Sequence, residues 1–244
     1  MPAPSATSSD PPASRRPGLR LLAGLVLWLG SAIGGWAEAG WPEPGGPTLD
    51  GPTLDGRYVY VISRNGDPIG QQSIEVHRDG QLLTARTETR IAVKFLGMTL
   101  YSMNQQIAET YSGRDLVRLE SETDDGGEIR KVDLTRDGKM LKGSFNGAPR
   151  EFFCDCMAST MWHAESVARP AIVEASRART RQVTVADLGP ESLTLPAGTV
   201  EARHLVVTGE LEREVWFDKD GMLVASLQKG RDGSLIRQEL LQRP

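Results

Sequence analysis

The chain has 244 residues, 39% of them hydrophobic, with 28 Lys and Arg against 32 Asp and Glu for a formal charge of −4. A mildly acidic chain with no basic cluster excludes nucleic acid as a partner, because phosphate binding is driven by Lys and Arg neutralisation and counterion release. Two cysteines in a chain this long also exclude a disulfide framework as the main source of stability, since a core of this size needs none.

Residues 1–39 have the pattern of an export signal. Arg15, Arg16 and Arg20 precede an apolar run, residues 21–36, which closes on Ala37-Glu38-Ala39, a small-x-small cleavage site. A spanning helix needs about 20 consecutive apolar residues, whereas this run is shorter and carries Gly24, Gly30, Gly34 and Gly35. Cleavage near Ala39 is therefore expected, giving a mature protein that is not integral to the membrane and is periplasmic or secreted. Its formal charge moves from −4 to −5, because Arg15, Arg16 and Arg20 leave together with Asp10 and Glu38. The only cysteines, Cys154 and Cys156, lie far from the cleavage site, which excludes lipid attachment to an N-terminal cysteine. Residues 14–20 also resemble a twin-arginine motif, with Gly18 where that pattern carries an apolar aromatic, so folded and unfolded export both stay open.

Residues 40–56 follow as a leader containing Gly46-Pro47-Thr48-Leu49-Asp50 and its direct repeat Gly51-Pro52-Thr53-Leu54-Asp55. Proline lacks a backbone donor and glycine resists ordering, so this stretch is expected to be a flexible linker. Residues 57–241 then form one domain. Asn65-Gly66, Asp79-Gly80, Asp125-Gly126, Asp137-Gly138, Asn146-Gly147, Asp220-Gly221 and Asp232-Gly233 punctuate it. Asn-Gly and Asp-Gly tolerate the positive φ of type I′ turns, which predicts successive β-hairpins. Between the turns the apolar period is two, as in Tyr58, Tyr60 and Ile62, in Val132 and Leu134, and in Leu223, Ala225 and Leu227. The expected fold is all-β: a single curved antiparallel meander forming a half-barrel or β-clamp.

Residues 81–95 and 98–111 make an unusually long hairpin around Gly97. Long, twisted strands curl, and the concave face then either holds an apolar ligand or is filled by its own side chains. Met157, Met161 and Val167 recur near helical spacing, which predicts a short helix over residues 158–168 covering the concavity, with Met161 and Trp162 against it.

Cys154-Asp155-Cys156 has four readings: a local disulfide or two half-buried thiols, a labile redox pair, an intermolecular bridge, or soft ligands for copper together with Met157, Met161 and His163. No Gly-x-Ser-x-Gly elbow occurs, and His77, His163 and His204 lack partners that would mark an activated nucleophile. Asp124-Asp125-Gly126-Gly127 lacks the oxygen-ligand ladder of calcium loops and is expected to be a turn.

The run from Tyr60 to Gly70, then Val93-Lys94-Phe95, Glu120 to Gly127, Val183 to Glu191, Ala202-Arg203-His204, Thr208-Gly209-Glu210-Leu211 and Val215 to Val224 resembles an uncharacterised bacterial secreted family. The resemblance covers residues 58–241. It departs from the family at Cys154-Asp155-Cys156, where the family carries apolar and small residues ahead of the Ser/Thr-x-Trp matched by Thr160-Met161-Trp162. The hairpin around Trp216 and Asp220-Gly221 is also similar to periplasmic β-clamps of the lipoprotein-localisation-factor type, which implies a curved sheet around an apolar chain. The expectation is a non-enzymatic protein that binds an apolar small molecule, a lipid or an envelope partner, with no cofactor. Its lining would be Ile91, Val93, Phe95, Met98, Leu100, Met161 and Trp162. A copper or redox protein using Cys154, Cys156 and His163 is one alternative, and a structural envelope protein with a self-filled barrel is the other.

Overall fold

The structure, a computed structural model, describes residues 54–230 and 232–244, without the side chains of Phe95, Glu165 and Ser166. The export signal of residues 1–39 and residues 40–53 of the leader lie outside the described residues. The domain is already ordered at Leu54, which is buried and accepts a hydrogen bond from the Tyr58 hydroxyl, and at Asp55, which accepts one from the Arg78 backbone.

Fifteen strands form one sheet among the described residues. In chain order they are β1 (Gly56–Arg64), β2 (Asp67–Asp79), β3 (Leu82–Phe95), β4 (Met98–Ser112), β5 (Asp115–Asp125), β6 (Glu128–Asp137), β7 (Met140–Phe145) and β8 (Ala148–Phe153). The second half comprises β9 (Cys156–Ala158), β10 (Ala171–Glu174), β11 (Arg179–Leu195), β12 (Gly198–Gly209), β13 (Arg213–Phe217), β14 (Leu223–Lys229) and β15 (Leu235–Gln242). All seven Asn-Gly and Asp-Gly dipeptides fall at hairpin connections, but only the two Asn-Gly pairs place both residues at the positive φ of a type I′ turn. Asn65 and Gly66 adopt φ of 52° and 93°, and Asn146 and Gly147 adopt 49° and 78°.

The meander is continuous from β1 to β8 and from β9 to β15, and the two halves join where β1 pairs antiparallel with β15. Every pair is antiparallel except β9 with β10. The two edges of the sheet, β8 and β9, are neighbours in sequence, separated by Cys154 and Asp155. Arg136 ties this junction together by donating to the carbonyls of Leu116 (2.7 Å) and Cys154 (3.2 Å).

In place of the helix expected over residues 158–168 there is a single 3₁₀ turn, Ala164–Val167. Residues 156–158 are extended and pair with β10, and Met161 has a φ of 50°, which no α-helix accommodates. The segment is held by partners distant in sequence, which override its local periodicity. The Leu223 amide donates to the Trp162 carbonyl (3.0 Å) and the Ala164 amide to that of Gly221 (2.8 Å). Gly221 has a φ of 79°, and a Cβ there would sit 2.8 Å from His163 Nε2, so the Asp-Gly turn needs glycine for two reasons.

This inserted segment divides the interior. On one side Trp162 joins a core that includes Tyr60, Ile74, Leu83, Tyr111, Leu119 and Leu134. On the other, Met161, Val167 and Ile172 pack against Leu205, Val215 and Phe217. A buried carboxylate fixes the segment to the wall: Glu109 of β4 accepts from Tyr111 Oη (2.5 Å), Thr160 Oγ1 (2.6 Å) and Trp162 Nε1 (3.2 Å). Burial raises the Glu109 pKa while the three donors pull it back.

Replacing Glu109 by Ala strands those three donors inside the barrel, and at ~1–3 kcal/mol per orphaned buried group the expected loss is about 3 kcal/mol or more. Chemical denaturation checks this, and a change in midpoint worth under about 1 kcal/mol, on the scale of one ordinary hydrogen bond, contradicts the anchoring role.

Candidate functional site

Strand parity sets the character of the interior. The face that carries Leu83 and Ala85 on β3 continues as Thr87, Thr89 and Ile91, and the face of Tyr111, Glu109 and Ile107 on β4 continues as Gln105 and Met103. The same change from apolar to polar occurs on β2 at Gln72 and on β5 at Thr123, so one end of the interior is a belt of neutral polar side chains. Thr89 donates to Gln72 (3.1 Å) and Gln105 to Thr123 (2.8 Å), which stiffens this belt. Above it lies a cavity of about 630 Å³, walled by β1 to β5 and β13 to β15, by Ser159 and Thr160 of the inserted segment, and by the charged residues Asp125, Arg130, Glu174, Arg177, Arg181, Glu210, Arg213 and Lys229. The concavity is thus filled with its own apolar side chains at one end and open and polar at the other.

The expected lining residues separate into three places. Ile91 lines the cavity. Val93, Met98 and Leu100 stand on a two-stranded ribbon that leaves the sheet: β2 stops pairing with β3 at Ile91 and β5 stops pairing with β4 at Met103. Residues 92–102 make strand pairs only with each other, a projection of about 15 Å at ~3.3 Å per residue, tied at its root to the turn after β5 by Tyr101 and Ser102. Leu96, Met98 and Leu100 are 83%, 61% and 65% exposed there, Val93 is half-buried, and Phe95 belongs to the ribbon with its side chain outside the described set. Met161 and Trp162 do not line this cavity and are wholly buried in two different clusters. The ribbon turn uses Leu96 and Gly97 with φ of 48° and 80°, an uncommon and unfavourable backbone for leucine.

Cys154 and Cys156 are buried and joined to each other in a disulfide. Of the copper set, Met157 and Met161 lie in separate clusters. His163 is buried against the turn after β13, hydrogen-bonded to the Asp220 backbone. Among the described residues no group of three His, Cys, Asp or Glu side chains is placed to hold a metal ion. His204 lies outside the cavity, stacked on Trp216 at 4.2 Å between Glu191 and Glu214.

Arg213, Gln105, Gln228 and Gln238 were not among the sequence candidates. The available signal was parity: each lies an even number of residues from a position on the inward face, so its polarity marks an interior that is not filled with apolar groups.

Fold and site together define an open, curved antiparallel β half-barrel with a polar, ligand-sized cavity at one end. The chain belongs to the family described as Domain of unknown function (DUF6134), matched over residues 60–241. Among solved structures it is similar to the beta-barrel-like protein of domain of unknown function DUF1849 from Brucella abortus, with 12% identity and a TM-score of 0.57 over 76% of this chain and 95% of that one. It is also similar to a protein with YmcC-like fold from Bacteroides fragilis, with 9% identity and a TM-score of 0.33 over 77% of this chain and 94% of that one. Comparison with curated proteins gives no match.

Two predictions follow from this geometry. Because both cysteines are bonded and buried, the unreduced protein unfolded in denaturant should take up no alkylating reagent and the reduced protein two equivalents, by intact mass; alkylation without reductant contradicts the disulfide. Burial pulls the His163 pKa from 6.5 down to about 4. The unfolded chain therefore takes up this proton at a higher pH than the folded one, and roughly 3 kcal/mol of stability is lost as pH falls from about 6.5 to about 4. Glu109, with its raised pKa, acts in the opposite sense, but equally in wild type and H163Q. Unfolding midpoints of the two proteins should thus converge as pH falls through that window; parallel curves contradict it.

Proposed function

We propose that this protein is an exported, non-enzymatic binding protein of the cell envelope that takes a lipid-like, amphiphilic ligand. The polar part occupies the cavity and the apolar part lies along the ribbon of β3 and β4. The observation that carries this reading is the continuity of the two surfaces: Ile91 and Met103 pair with each other at the root of the ribbon, and both line the cavity. Above them stand Leu96, Met98 and Leu100, solvent-exposed apolar side chains on a projection whose only charge is Lys94. Exposed apolar groups gathered at one place mark a contact surface. The cost of holding Leu96 at positive φ where Asn or Asp would fit is further support, since such strain persists where function requires the residue. An apolar ligand alone suits the ribbon and not the cavity, whose wall is mostly polar and charged.

Isothermal titration of the folded domain with monolaurin and with dodecyl phosphate, both below their aggregation concentrations, tests the proposal. At least one should bind, and the combined variant L96S, M98S and L100S should weaken binding by about tenfold or more at unchanged thermal midpoint. No binding of either amphiphile, or binding indifferent to the ribbon, overturns it.

A further inference from the structure

We propose that the cavity recognises an anionic, acceptor-rich group, a phosphate or carboxylate, with Arg213 at the centre of the site. The inference rests on the cavity being the ligand site and names the chemistry of the part bound there.

Donors in the cavity wall outnumber the acceptors available to them. Arg213 projects from β13 into the interior, and its guanidinium donates to Gln228 Oε1 (3.0 and 2.6 Å) and to the Ser159 carbonyl (3.3 Å). All these acceptors are neutral, and no carboxylate pairs with Arg213 among the described residues. A half-buried cation without a counter-charge is costly, and burial lowers its pKa to about 10. Two further polar atoms of the wall are buried without a hydrogen-bond partner, Gln238 Nε2 and Thr87 Oγ1. The first can only donate.

The wall carries five cations, Arg130, Arg177, Arg181, Arg213 and Lys229, against three carboxylates, Asp125, Glu174 and Glu210, none of which pairs with Arg213 among the described residues. Glu174 is shared by Arg177, Arg179 and Arg181. Glu210 accepts the Gln182 amide (2.7 Å), and Asp125 pairs with Arg130 (3.0 Å) and accepts from Tyr101 (2.7 Å). Lys229, also in the wall, makes no ion pair among the described residues. The wall therefore carries a surplus of positive charge together with buried orphan polar atoms. A neutral acceptor would satisfy Gln238 and leave the charge on Arg213 unopposed. A phosphate or carboxylate supplies lone pairs and negative charge at once, and its bonds to a guanidinium are of the stronger, charge-assisted kind.

The test is titration of the folded domain with dodecyl phosphate, with monolaurin as a neutral amphiphile of matched chain, and with inorganic phosphate. Dodecyl phosphate should bind at least about tenfold tighter than monolaurin, and R213Q should remove that advantage while leaving monolaurin within about twofold. K229Q should weaken the alkyl phosphate several-fold while leaving monolaurin within about twofold, and it carries the test if R213Q does not fold. Inorganic phosphate that binds in an Arg213-dependent way while neither amphiphile binds supports the anion site and overturns the amphiphile reading. Equal binding of the two amphiphiles, insensitive to these variants, overturns the anion site and leaves the amphiphile reading standing. Binding of none of the three probes overturns both.

Discussion

The pairing of β1 with β15 is the constraint on which the architecture depends. Without it the chain would be two separate meanders, each with a long exposed edge. Pairing the first strand with the last turns them into one sheet whose two free edges are the sequence neighbours β8 and β9. The edges are therefore brought back towards each other across only Cys154 and Asp155, and the sheet must curl. The disulfide, Arg136 and the ion pair of Arg169 with Asp155 all lie at that junction. The Tyr60 hydroxyl of β1 donates to the Leu223 carbonyl on β14 (2.9 Å), a link across the same closure.

Curling creates an interior too wide for strand side chains alone, and the chain fills it with its own residues 154–178. The filling is specific because it is polar at its anchor points. Glu109 gathers Tyr111, Thr160 and Trp162, and Ser121 donates to the Ala175 carbonyl (2.5 Å), so the segment lies at one depth only. Buried polar groups with full complements of partners specify a single arrangement where apolar contacts tolerate several. Ser159, Thr160, Glu174, Ser176 and Arg177 of this segment border the cavity, and the volume beyond them is left unfilled.

Two surfaces of opposite character meet at the root of the β3 and β4 ribbon. Below lies an interior belt of Gln and Thr under a rim with excess arginine; above stands an exposed projection of Leu and Met. Neither contributes to the packed core. Both carry unfavourable features for a chain in isolation: unpaired buried atoms in one and apolar exposure with a strained turn in the other. Their adjacency is the basis of the proposal of a ligand with two chemically distinct ends.

Residues alone determined the all-β meander and its long hairpin, because Asn-Gly and Asp-Gly turns and period-two apolar alternation are local properties that need no distant partner. They also placed Cys154 and Cys156 close enough to join. Tertiary structure alone decided the fate of residues 158–168, whose helical spacing yields to Glu109 and Leu223, neither near in sequence, and to the pairing of β9 with β10. It likewise decided where Met161, Trp162 and Leu100 go, since alternation says which residues share a face but not how far a strand outruns its neighbours or what fills the space behind it. Parity could mark single polar positions on the inward faces, but not the cavity they surround, for the same reason. An inward Gln or Thr resembles an outward one until the register of eight strands sets Gln72, Thr89, Gln105, Gln228 and Gln238 around one volume.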